Sequence, residues 1–169
     1  FKELQVTRHN FRSLLIREIE DAFSNVPRPA KDRLVPHRCW ECDALFKDIA
    51  DRSWKDWRAV GMWGGQAHAL LSPVAFRYFL PAFLIYELRI RSRKKSRLHS
   101  LCHALISPNK TKWRKRYKPP PPGSRARGLS RLQLKATISV LQFLRDPQWP
   151  EGVPYAVDRA LAELNRRLR

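Results

Sequence analysis

From Val74 to Tyr86 the chain runs through thirteen residues of which only Arg77 is charged. A stretch this apolar cannot face water on all sides, so the fold must be built around it. Ser72 and Pro73 open it as helices open: the hydroxyl caps an early backbone N–H, and proline takes the first helical position, where its missing N–H is not needed. The pattern predicts a buried central helix over 72–91. It is too short for a bilayer, which takes about 20 apolar residues. Pro81 removes one internal hydrogen bond and is expected to kink the helix.

Other helices are expected to pack on this centre. Phe11, Leu14, Leu15, Ile19, Ala22 and Phe23 recur at helical spacing, with Asn10 placed as an N-cap. Pro27, Pro29 and Pro36 enforce an irregular connection into His37-Arg38-Cys39-Trp40-Glu41-Cys42, after which Leu45, Phe46 and Ile49 mark a short helix. Ser53 and Asp56 resemble a capping box opening another short helix with Trp54 and Trp57. Leu98, Leu101, Cys102, Leu105 and Ile106 predict a further helix. Ser130 with Gln133 repeats the capping-box pattern before Leu134, Ile138, Leu141 and Leu144, and Pro154 starts a last helix through Leu168. No alternating strand and no repeat is visible. The expected fold is all-α, a single compact domain over 1–169 of about six to seven helices, a length within the usual ~100–200 residues of one domain. With 43% apolar residues, six Trp and eight Phe, the chain can bury a core, which excludes wholesale disorder.

The charge is unevenly placed. Of 34 Lys and Arg against 15 Asp and Glu, residues 1–88 hold 13 and 11, and residues 129–169 hold 7 and 4. Residues 89–128 hold 14 basic side chains and no acidic one, so +14 of the net +19 lies there. The first cluster is Arg89, Arg91, Arg93, Lys94, Lys95 and Arg97. The second is Lys110, Lys112, Arg114, Lys115, Arg116 and Lys118, with Trp113 and Tyr117 inside it. A Pro-rich loop at 118–128 follows, closed by Arg125 and Arg127. Such a segment attracts polyanions in a salt-dependent way, and an aromatic between cations can stack on an exposed base. A solvated tether is the plainer meaning of a charge run. The absence of any acid over forty residues favours contact with a polyanion or an acidic partner.

Three segments carry a resemblance. The element His37-x-Cys39-x-Glu41-Cys42, the run Leu71-Ser72-Pro73-x-Ala75-Phe76-Arg77-Tyr78-Phe79-Leu80-Pro81-Ala82-Phe83, and the later Leu129-Ser130-x-x-Gln133 with Phe143-Leu144 resemble, in this order, an uncharacterised family of small bacterial helical proteins, a domain of unknown function. The resemblance covers roughly 11–88 and 128–146 and implies a shared helical core. It implies no reaction, and the long cationic connector and the C-terminal extension depart from it.

Cys39-x-x-Cys42 beside His37 has zinc-ligand character, with His99, Cys102 or His103 available as a fourth ligand. The spacing matches no strong finger pattern, and a structural thiol-aromatic cluster is the commoner meaning; redox chemistry is a third. Glu41, Asp43, Asp48 and Asp51 are expected to be an acidic helix face rather than catalytic carboxylates. Arg77 needs a partner in its apolar setting, for which Glu87, Glu41 and Asp43 are candidates. Gly61 to Gly65 lacks a phosphate-loop ending, and no serine sits in a nucleophile elbow.

The residues therefore favour a non-enzymatic binding protein whose basic arm contacts nucleic acid or a ribonucleoprotein. The alternatives are an immunity or inhibitor protein that neutralises a toxin or other acidic protein partner, and a zinc-dependent enzyme. No cofactor is required by the first two, and no membrane contact is expected. Three cysteines and no visible signal peptide point to a reducing cytoplasm, with residues before Phe1 an open expectation.

Overall fold

The central helix owes its position to its composition and its caps. In a computed structural model it runs Pro73–Arg89, and Ala75, Phe76 and every residue from Tyr78 to Leu88 are buried. The structure describes residues 2–36, 38–63, 67–90, 96–106, 125–145 and 153–169, with side chains of the first helix from Asn10 onward. Within these, the α-helices in chain order are α1 Lys2–Phe23, α2 Trp40–Ile49, α3 Ala67–Leu70, α4 Pro73–Arg89, α5 Leu98–Leu105, α6 Arg131–Leu144 and α7 Val153–Leu168. Short 3-10 helices cover Lys31–Arg33 and Trp57–Gly61. Among the described residues there is no strand, and the fold is all-α.

Ser72 does more than cap α4. Its Oγ accepts from the Ala75 N–H at 3.1 Å and donates to the Arg33 carbonyl, while its own N–H donates to the Leu34 carbonyl at 3.0 Å. The start of the central helix is thereby fastened to the connection after α1. At the far end Glu87, also buried, accepts from Ser96 Oγ and the Arg97 N–H, each at 2.6 Å, and so holds the start of α5. Burial raises the Glu87 carboxyl above its ordinary range, against the lowering effect of these bonds.

One contiguous core runs from Leu15 to Leu164. At its middle Trp63 meets Phe79 and Phe83 edge-on at 5.3 and 5.7 Å. α1 packs on α4 and α6, and α7 on α5 and α6. The α6 capping box forms as expected: the Ser130 N–H donates to Gln133 Oε1 at 3.0 Å and the Gln133 N–H to Ser130 Oγ at 3.3 Å.

Three local expectations change. α1 starts at Lys2 rather than beyond Asn10, because residues 2–5, Lys, Glu, Leu and Gln, are good helix formers that extend the helix past a cap-type residue. The Ser53-Asp56 pattern opens no α-helix. Ser53 Oγ satisfies the N–H of Lys55 at 3.2 Å instead of the one three residues on, so it makes a turn leading to the 3-10 helix at Trp57. Arg77 does not pair with Glu87, Glu41 or Asp43: it is only half-buried, and its Nη1 donates to the Gly128 carbonyl at 2.9 Å. Glu87 serves α5, and Asp43 pairs with Arg38 at 3.0 Å.

Candidate anion-binding site

The cationic segment is fixed at its two ends. Arg89 closes α4, with its guanidinium 5.1 Å over the Trp57 ring. Gly128, the last residue of the segment, lies against Arg77 in the first half of the same helix. Twelve helical residues separate Arg89 from Arg77, so the two ends of the segment meet α4 ~18 Å apart, and between them α5 is itself part of the core. Arg91, Arg93, Lys94, Lys95, Lys110, Lys112, Trp113, Arg114, Lys115, Arg116, Tyr117 and Lys118 lie outside the described residues.

Of the segment's other basic residues, only Arg127 is an exposed cation. Arg97 is half-buried and donates to the Gly61 carbonyl at 3.3 Å. Arg125 corrects the sequence reading more sharply. It is 5% exposed, and its Nη2 donates to the carbonyls of Ala69 and Leu71, so it braces the end of α3 rather than offering its charge to a ligand. Burial lowers its pKa for want of water around the charge.

Where the segment rejoins the core, a cavity of about 700 Å3 opens between the α1–α2 connection, the start of α4 and the start of α6. Arg28, Arg33 and Arg77 line it, with Asp21 as its one acid and Asn25, Ser130 and Gln133 as neutral polar groups. Ala22, Val26, Pro27, Pro29, Ala30, Val74 and Leu132, with Gly128, complete the wall. Two of the three guanidiniums are held from behind. Arg28 donates to the Ala50 carbonyl and Arg77 to that of Gly128, while Ser72 anchors the backbone of Arg33 and leaves its side chain exposed. A Cβ on Gly128 would come within 2.3 Å of Arg77 Nη1, so glycine is what lets this guanidinium lie across the turn. Among the described residues none of the three arginines is in a salt bridge, whereas nearby Asp51 is taken by Lys31 at 2.6 Å.

Sequence reasoning missed Arg28 and Arg33. They sit in a proline-rich connection that reads as a linker, and only the folded chain brings them to a cavity shared with Arg77 and Gly128. Their one legible sign was Arg28, Lys31 and Arg33 spaced between Pro27 and Pro36.

The thiols take local roles. Cys39 is the N-cap of α2, its Sγ accepting from the Cys42 N–H at 3.3 Å. Burial, then the neighbouring Cys39, pushes the Cys42 thiol up to about 12. Cys102 is buried in α5 with its thiol raised by burial and by Glu87. His99 and His103 form an exposed pair on α5, with their Nε2 atoms 3.3 Å apart. His37 lies outside the described residues, and among those described no three His, Cys, Asp or Glu gather as a metal site. No described helix is long and apolar enough to cross a membrane.

Compared with known protein families, curated proteins and solved structures, the chain matches none.

Proposed function

We propose that the protein is a non-enzymatic binding protein that holds a polyanion, nucleic acid above all, with the cationic segment 89–128. The observation that carries this reading is the concentration of 14 basic and no acidic residues in that segment. The end of the segment adds support, because Gly128 lines the arginine cavity and the exposed Arg127 precedes it directly in the chain. Lysines and arginines neutralise phosphates, while Trp113 and Tyr117 offer stacking surfaces to unpaired bases.

Salt titration of single-stranded oligonucleotide binding tests it. For about six phosphate contacts the logarithm of affinity falls with the logarithm of salt at a slope of about −4. Changing Arg114, Lys115 and Arg116 together to Gln flattens that slope by about 2. Absence of binding at low salt, or binding indifferent to salt, overturns the proposal.

A second reading, an inhibitor that masks an acidic protein, has one specific observation behind it. Phe11 and Leu14 on α1 are 50% and 58% exposed and share a groove with Phe143 separate from the arginine cavity, apolar surface that phosphate contact does not call for. Capture from cell extract with and without nuclease separates the two, since a protein partner survives the nuclease.

A further inference from the structure

We propose that the cavity lined by Arg28, Arg33 and Arg77 is a site for a phosphomonoester, carried either on a free nucleotide-sized molecule or on the phosphorylated end of a strand. The charge balance calls for an anion: three guanidiniums share the cavity with one carboxylate, Asp21, and none of the three is in a salt bridge among the described residues. A net excess of two positive charges matches a phosphomonoester dianion better than a singly charged carboxylate or phosphodiester. Guanidinium forks also present paired donors that suit phosphate oxygens.

The site is built in advance. The guanidiniums of Arg28 and Arg77 are each steadied by a backbone carbonyl, so less side-chain freedom is lost there on binding than with loose surface cations, while Ser72 fixes only the backbone of Arg33, whose exposed side chain closes on the anion. The volume is of the size that small-molecule pockets have, and Val26, Val74 and Leu132 give the organic body of the ligand an apolar wall beside the charge.

Although the strand-end form of this site rests on the nucleic-acid reading, the free-molecule form does not. Calorimetry on the full chain compares adenosine monophosphate with adenosine, and a short oligonucleotide bearing a terminal phosphate with its hydroxyl-ended counterpart. The phosphorylated member of at least one pair binds at least about tenfold more tightly, roughly the 1.4 kcal/mol of one good charge-assisted contact. Arg28→Gln with Arg33→Gln abolishes the difference; Arg33 is exposed and replacing Arg28 gives up the bond to the Ala50 carbonyl, so circular dichroism shows a retained helical fold with a lowered melting temperature, and Arg33→Gln alone, which breaks no such bond, weakens the preference at an unchanged melting temperature. Gly128→Ala reduces the difference by displacing the Arg77 guanidinium, an independent check by a residue that carries no charge itself. Equal binding within both pairs, or a preference that survives the double substitution, overturns the proposal. Adenosine monophosphate bound with no oligonucleotide bound sinks the polyanion reading and leaves the cavity as a small-molecule site. Salt-dependent oligonucleotide binding with no phosphate preference does the reverse.

Discussion

His68 shows how a single residue can set the response to acid. It is 2% exposed, its ring stands edge-on to Phe83 at 5.9 Å, and its Nδ1 has no hydrogen-bond partner. Burial, followed by the charges of Arg125, Arg97 and His103, pushes its pKa down to about 4. The folded state therefore keeps it neutral while an unfolded histidine takes up a proton below about 6.5, so the unfolded chain binds more protons and stability is lost as pH falls from there towards 4. The contribution is up to about 3 kcal/mol. Glu87 acts in the opposite sense: its raised carboxyl is a cost that grows as pH rises past the unfolded carboxyl range. Urea denaturation of the parent and of His68→Leu at neutral pH and at about pH 4.5 isolates the histidine. The variant loses less stability across that interval; an unchanged interval would mean that His68 is protonated in the folded state.

At the scale of elements, two serines with the same capping role carry different loads. Ser130 bonds only within the α6 box, and Ser130→Ala is expected to cost about 1 kcal/mol. Ser72 caps α4 and also donates to the Arg33 carbonyl from a buried position, so Ser72→Ala leaves that carbonyl short of a partner and is expected to cost about 2–3 kcal/mol. The ratio of the two losses in chemical denaturation is the measurement, and equal losses would show that the tie to Arg33 adds nothing. Both caps were legible in the sequence because capping is local: Ser-Pro before an apolar run and Ser-x-x-Gln before a periodic one say where a helix begins. The burial of α4 was legible for the same reason. What escaped was set by contacts across the chain. The partner of Arg77 is 51 residues away, the carbonyls braced by Arg125 are 54 and 56 residues away, and no spacing rule connects Arg28 and Arg33 with Gly128. Charge counting rightly found where the excess lies, and it could not tell a buried guanidinium from an exposed one.

Across the whole molecule, Arg28, Arg77, Arg97 and Arg125 donate to carbonyls at Ala50, Gly128, Gly61, and Ala69 with Leu71. Most of these oxygens stand where a helix has just ended and the next N–H that would have served them is missing. The arginines thus close the seams between elements. Of the 34 basic residues 23 are Arg and 11 are Lys, a preference that net charge alone does not require. Replacing those four arginines with lysine preserves the charge of +19 but removes the planar fork, and the expected result is a loss of about 1–2 kcal/mol for Arg125 alone and a clear fall in melting temperature for the set. The same exchange at the exposed Arg17, Arg127 and Arg131 leaves the melting temperature where it was. Two proteins of identical electrophoretic mobility would then differ in how firmly their parts are joined. In this chain positive charge and mechanical cohesion are drawn from one pool of side chains, and a polyanion that competed for the seam arginines would loosen the body that holds it.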